Sequence, residues 1–124
     1  MQAAEFVVQM LNKGEKGMMV FEPELVTVAP GDSVRFVPTD KAHNAESMKG
    51  MIPAGAAPFA GKFGKEITVA FTEPGIYGYR CKPHYGRGMV GAVVVQAAVN
   101  LEAAQAVNRR GRAQKVFQRI LGGL

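Results

Sequence analysis

The stretch "LVTVAPGDSVRFVP", residues 25–38, contains two runs rich in β-branched residues, separated by Pro30, Gly31 and Asp32. β-Branched side chains favour strands because they pack well on a pleated surface. Proline fixes φ, glycine accepts positive φ, and aspartate bonds to nearby backbone amides, so the three residues together interrupt a strand. The stretch therefore predicts two strands joined by a hairpin or a tight corner.

The same arrangement recurs later in the chain. "EITVAFTEPGIYGYR", residues 66–80, again places a proline–glycine break between two strand-like runs. "MVGAVVV", residues 89–95, predicts a further strand that is central, because it is apolar throughout. "EFVVQML", residues 5–11, alternates weakly. Short strands with glycine and proline turns and no interleaved helices indicate an antiparallel sandwich or barrel.

The C-terminal 26 residues have a different pattern. Apolar residues recur there at helical spacing on both sides of Gly111, which predicts two short helices joined at that glycine. The tail holds five Lys or Arg and one Asp or Glu, and so supplies most of the +5 net charge. We expect these basic residues on a solvated helix face, with a nucleic-acid patch as the alternative. They are Arg109, Arg110, Arg112, Lys115 and Arg119.

Length and composition limit the class of protein. With 124 residues, 48% hydrophobic and 20% charged, the chain fits a single soluble domain over residues 1–124. We expect the β-structure over about 5–98 and the helices over about 99–122. No apolar run approaches the roughly 20 residues that span a bilayer, so no membrane segment is expected. A single cysteine excludes an internal disulfide.

The cysteine has metal-ligating neighbours. Cys81, His84 and Met89 follow one another with the spacing C-x-x-H-x-x-x-x-M, and the only other histidine, His43, lies in the long irregular segment 39–65. Long loops in compact domains tend to be functional. One thiolate, two imidazoles and a thioether are the donors of a blue-copper electron-transfer site. The set therefore predicts single-electron chemistry at a copper ion.

Other interpretations of these residues remain open. Taken singly, each of the four is more often part of a core than a ligand, and only the joint spacing favours a site. Cysteine and two histidines could also form a zinc or other non-redox site. A catalytic zinc site needs a general base, and the ligand loop contains no carboxylate to serve as one. We therefore expect a protein that is not an enzyme, with the zinc-type site as the alternative.

Five stretches carry a resemblance to a known family: "MLNKG", "MVFEP", "PTDKAHN", "KGMIP" and "CKPHYGRGMVG". They resemble the cupredoxins, and among them the pseudoazurin family. The resemblance implies an all-β fold, an eight-stranded Greek-key β-sandwich with two C-terminal α-helices. It implies one type 1 copper held by His43, Cys81, His84 and Met89. It also implies a periplasmic electron carrier that serves a copper nitrite reductase or c-type cytochromes.

The resemblance assigns roles around the ligands as well. It implies that the backbone amide of Asn44 donates a hydrogen bond to the thiolate, and that Met19 packs near the ring of His84. Outer contacts of this kind tune a metal site. His84 is the expected point of electron exchange, on an exposed turn of a monomeric protein.

Basic residues flank the ligand stretches. A ring of cations around an exchange point would steer an acidic partner into a brief encounter. Two of these residues depart from the family pattern, Lys82 after the cysteine and Arg87 in the ligand loop. The charge of Arg87 lies where an apolar contact is usual, so we expect a partner interaction that depends strongly on salt. The expected docking residues are Lys13, Lys41, Arg80, Lys82 and Arg87.

Overall fold

The computed structural model describes residues 3–107, 109 and 111–124. They form eight strands in two four-stranded sheets, followed by two helices. The strands are β1 (Glu5–Gly14), β2 (Gly17–Glu22), β3 (Leu25–Val28), β4 (Ser33–Val37), β5 (Glu46–Ser47), β6 (Ile67–Ala70), β7 (Gly75–Arg80) and β8 (Val90–Val95). The helices are α1 (Leu101–Gln105) and α2 (Gly111–Gly122). The predicted eight-stranded sandwich with two C-terminal helices is confirmed.

The strand order explains why the two proline–glycine breaks are not hairpins. One sheet has the order β2-β1-β4-β6 and the other has the order β3-β8-β7-β5. The chain therefore changes sheet between β3 and β4, and again between β6 and β7. As a result β1 pairs with β4, and β3 with β8, in parallel. The prediction of antiparallel pairing is wrong for these two pairs, because strands that meet at a corner lie in different sheets and each pairs with a strand distant in sequence.

Asp32 fixes the corner between β3 and β4. Its Oδ1 accepts a hydrogen bond from the backbone amide of Ala4 at 2.8 Å, and its Oδ2 accepts one from Ala29 at 2.8 Å. These two hydrogen bonds hold the pKa of the Asp32 carboxyl below its usual value. The corner lies at the end of β4 opposite to the end from which the chain continues to His43.

Two apolar clusters lie on the two sides of the β8 sheet. One fills the space between the sheets, with Val8, Val34 and Phe36 opposite Tyr79 and Val93. The other joins the outer face of β8 to α2. Its members include Ala92, Val94, Phe117, Ile120 and Leu121. Because β8 is covered on both faces, all six of its residues are buried, as the continuous apolar run indicates.

The helical tail differs from the prediction at one basic residue. Arg109 is only 7% exposed, and its guanidinium donates hydrogen bonds to the carbonyl oxygens of Ala104 and Gln105 at the end of α1. It also lies 5.0 Å from the centre of the Phe117 ring. The expectation of a solvated Arg109 is wrong, because the cation donates to carbonyl oxygens at the end of α1 and lies over the Phe117 ring.

The remaining basic residues of the tail follow the prediction where the structure describes them. Arg112, Lys115 and Arg119 are exposed, and Arg110 lies outside the described residues. Of the helices in the described part of the chain, none has the length and apolar character needed to cross a membrane.

Candidate metal centre

The ends of three strands bring the predicted ligands together at one end of the sandwich. His43 lies in the segment after β4, Cys81 directly follows β7, and Met89 directly precedes β8. His84 is the residue before a single 3₁₀ turn, Tyr85–Arg87. Since β7 and β8 are neighbouring antiparallel strands, Cys81 and Met89 meet across the end of the pair. The loop between them, residues 81–89, is called the ligand loop below.

Three donor atoms converge on one point. His43 Nδ1 lies 3.1 Å from His84 Nδ1, and Cys81 Sγ lies 3.7 Å and 3.4 Å from these two nitrogens. A point equidistant from all three atoms lies about 2 Å from each, close to ordinary metal–nitrogen and metal–sulfur bond lengths. The three residues therefore fit a metal ion in a trigonal arrangement.

The tautomer of His43 is set from outside the ligand loop. His43 Nε2 lies 2.8 Å from Asn12 Oδ1 and donates its hydrogen to that oxygen, which leaves the lone pair of Nδ1 directed at the other two donors. Burial, followed by the proximity of His84, lowers the pKa of His43, although Asp40 opposes this. Both effects favour the neutral imidazole that binds a metal.

Sequence reasoning assigned no role to Asn12. It lies on β1, 31 residues before His43, and its stretch "MLNKG" carries only the family resemblance. Asparagine is common in turns, so the residue type of Asn12 alone carried no signal for a metal site.

Cys81 is a fully buried thiol. Burial raises its pKa, while hydrogen bonds from the backbone amides of Asn44 and His84 lower it. A coordinating metal deprotonates such a thiol, and the two amides then donate to the thiolate. The Asn44 side chain also joins the two ligand segments, because its Oδ1 accepts a hydrogen bond from the backbone amide of Lys82 at 2.8 Å.

The ligand loop is held by its own backbone. The amide of Cys81 donates to the carbonyl of Met89 at 3.0 Å, and the amide of Met89 donates to the carbonyl of His84 at 3.2 Å. The amides of Arg87 and Gly88 close the 3₁₀ turn with hydrogen bonds of 2.9 Å each. The ligand positions are thus fixed in advance, which limits rearrangement at the site.

Burial separates the four ligands into two groups. His43, Cys81 and Met89 are 0% exposed, whereas His84 is half-buried. Met89 belongs to the same buried cluster as Cys81. His43, Cys81, His84 and Met89 are positioned for a single copper site.

Met19 is half-buried and packs against the cluster that contains Cys81 and Met89. It has a positive φ of 55°, which is uncommon for a residue with a side chain. The assignment of Met19 to the ring of His84 stays a prediction.

The expected docking residues differ in exposure. Lys13, Lys41, Lys82 and Arg87 are exposed. Arg80 is half-buried, and its guanidinium forms an ion pair with Glu46 at 2.9 Å and lies 5.3 Å from the centre of the Tyr85 ring. Its charge is therefore largely balanced within the protein.

Known proteins similar to this chain agree with the geometry. The profile of the family "Copper binding proteins, plastocyanin/azurin family" matches residues 8–96. The pseudoazurin of Paracoccus pantotrophus is 49% identical over 114 residues, which cover 91% of this chain and 79% of that protein. The pseudoazurin of Methylorubrum extorquens is 51% identical over 114 residues, which cover 91% of this chain and 77% of that protein.

Solved structures give the same result. A pseudoazurin structure from Sinorhizobium superimposes with a TM-score of 0.94 at 44% identity, covering 96% of this chain and 94% of that one. The pseudoazurin structure from Methylobacterium extorquens AM1 superimposes with a TM-score of 0.92 at 48% identity, covering 96% of this chain and 98% of that one. With this similarity along most of the chain and a His–Cys–His–Met donor set, the protein belongs to the pseudoazurin family of type 1 copper electron carriers.

Proposed function

We propose that this electron carrier exchanges single electrons with an acidic redox protein through the exposed edge of His84. The observation that supports this is the unequal burial of the ligands. Three of the four are fully buried, and only His84 reaches the surface. An electron that enters or leaves by the shortest route through the protein therefore passes at His84.

When bound, copper alternates between Cu(II) and Cu(I) and so supplies the one-electron step. The chain's own residues define the position. Asn12 orients His43, backbone amides support the Cys81 sulfur, and the hydrogen bonds of the ligand loop hold His84 and Met89. A site held in this way needs little movement when the charge changes, which favours fast exchange.

The surface around His84 supports an acidic partner. Lys13, Lys41, Lys82 and Arg87 are exposed and flank the ligand segments, and the chain carries a net charge of +5. Complementary charge raises the association rate, and a small contact area allows rapid release. The family resemblance suggests a copper nitrite reductase or a c-type cytochrome as this partner.

Three further properties belong to the proposal. The protein acts as a monomer and is not an enzyme, because a transient carrier needs one exposed exchange point and no substrate site. It works in the periplasm, as the family resemblance implies. Sedimentation at the mass of one chain and osmotic-shock fractionation of the source cells test oligomeric state and location.

A spectrum tests the metal chemistry. Purified protein titrated with Cu(II) should turn blue and should bleach with ascorbate. The Cys81→Ser variant should stay colourless, because the colour comes from thiolate-to-copper charge transfer. A colourless protein that binds zinc equally well would favour the zinc-type site instead.

Stopped-flow kinetics test the partner. The rate constant for oxidation of the Cu(I) protein by a copper nitrite reductase should fall steeply as the salt concentration rises, because exposed charges are screened beyond about 10 Å at 0.1 M salt. A rate that does not change with salt would contradict docking through the basic residues.

A further inference from the structure

A groove beside the ligand loop has an excess of positive charge. It has a volume of about 200 Å³ and lies between β2, the 3₁₀ turn and α2. Five of its charged residues are basic and one is acidic, although they come from three distant parts of the sequence. They are Lys16, Glu24, Arg87, Arg112, Lys115 and Arg119. This set is called the basic groove below.

Close packing of the ligand loop on α2 creates the basic groove. Gly88 has a φ of 85°, and a Cβ atom at this position would lie 3.0 Å from Arg112 Cβ and 3.2 Å from Val116 Cγ2. The backbone that follows Arg87 therefore rests directly on the first turns of α2. As a result Arg87, next to the exchange point, and Arg112, on the helix, share one surface.

The single acid of the groove is already paired. Glu24 forms ion pairs with Lys16 at 2.8 Å and with Arg119. Across residues 3–107, 109 and 111–124, no ion pair involves Arg87, Arg112 or Lys115. These three exposed cations lie close together without a compensating charge, an arrangement that a bound polyanion stabilises.

We propose that the basic groove binds an acidic segment of the redox partner, so that docking extends from His84 onto α2. This rests on the proposed function. Two arginines and a lysine match several carboxylates, because guanidinium groups bind carboxylates in a bidentate manner. Met18 is 57% exposed and lines the same groove, which adds an apolar contact to the charged ones.

The chemistry of the groove favours a protein segment over a nucleic acid. Single-stranded nucleic acids bind on exposed aromatic rings along a basic track. The one aromatic residue that lines the groove, Phe21, is only 3% exposed. The groove thus offers charge and one apolar side chain, but no stacking surface.

An NMR titration of the Cu(I) protein with a hexaglutamate peptide tests the proposal. We expect shifts in the amides of Gly88 and of residues 112–116. The Arg112→Gln/Lys115→Gln double variant should bind the peptide about tenfold more weakly, while Arg35→Gln/Lys49→Gln, with the same change in net charge away from the groove, should change binding by less than about threefold.

Four results would overturn the proposal. The first is an equal loss of peptide affinity in the two double variants, and the second is a set of amide shifts confined to the surroundings of Lys13 and Lys41. The third is an affinity for inorganic phosphate equal to that for the peptide. The fourth is tighter binding of a short single-stranded DNA than of the peptide at the same salt concentration. The peptide titration needs no electron transfer, so it separates the two hypotheses. A wild-type protein that binds the peptide in the groove but does not react with a copper nitrite reductase or a c-type cytochrome contradicts the proposed partner, and leaves the groove's preference for acidic chains supported.

Discussion

The two histidine-bearing segments of the metal centre are held by different means. His43 is fully buried, and a side chain of another strand, Asn12 on β1, fixes its ring. The ligand loop is fixed by hydrogen bonds between its own backbone groups, and its histidine, His84, is half-buried. The ring of His43 is thus oriented by a side chain from β1, whereas the other ligands are held mainly by the backbone geometry of their loop.

This difference indicates where each segment is vulnerable. The orientation of the His43 ring depends on one neighbouring side chain, so a substitution of that side chain should disturb it. The ligand loop depends on backbone shape and on the surface that supports it, so steric changes should disturb it more than the loss of a polar group. The four predictions below test this comparison, beginning with the largest expected effect.

Removal of each histidine ring gives the largest contrast. In a His84→Gly variant, added imidazole should restore most of the blue absorption with Cu(II), because the vacated position opens to solvent. In His43→Gly the same imidazole concentration should restore little, because that position is fully buried. Visible titrations measure this, with Cys81→Ser as the colourless control. Equal restoration in both variants would contradict the assignment of His84 as the exposed ligand.

Two neighbouring glycines give a matched test of the loop's support. Gly88→Ala should lower the free energy of unfolding by about 2 kcal/mol, because its φ is positive and the new methyl group meets Arg112 and Val116. Gly86→Ala should change it by less than about 0.5 kcal/mol, because no atom of a residue beyond its two chain neighbours lies within 4 Å of its Cβ position. Urea denaturation of the metal-free proteins measures both. An equal loss of unfolding free energy in the two variants would show that α2 does not constrain the ligand loop.

Asn12→Ala should have a smaller effect on stability. The loss of the hydrogen bond from His43 Nε2 is expected to cost about 1 kcal/mol and to release the ring orientation. Nitrogen NMR should show the hydrogen on Nε2 in the wild-type metal-free protein and a mixture of tautomers in the variant. Asn12→Asp keeps an acceptor oxygen and serves as the control. An unchanged tautomer in Asn12→Ala would mean that other contacts orient His43.

The smallest effect is expected at the corner remote from the metal centre. Two backbone hydrogen bonds lower the pKa of Asp32, so its contribution to stability is present above about pH 4 and is lost as the pH falls through the lowered value. Asp32→Asn should remove this part of the pH dependence of the melting temperature and leave the blue spectrum unchanged. A changed spectrum would show that the corner and the metal centre are coupled.

Much of the site could be predicted because its residues are close in sequence. Cys81, His84 and Met89 lie within nine positions, and a loop of that length brings its donors together in almost any strand pair. His43 could be predicted only from its residue type, because it is the one other histidine in the sequence. Asn12 could not be predicted, since its role requires that β1 lie beside the segment after β4, a parallel pairing that local pattern does not reveal.

The sequence by itself determined the strand-rich class, the two helices around Gly111 and the donor set, because strand propensity, helical spacing and ligand chemistry are properties of short segments. Only the tertiary structure decided which strands pair in parallel, that Arg109 is buried, and that Gly88 packs against Arg112. The strand pairings and the contact of Gly88 with α2 join residues far apart in the chain. The physical reason is that packing, not local preference, selects such contacts, since each becomes favourable only after the two sheets and α2 have closed around a common core.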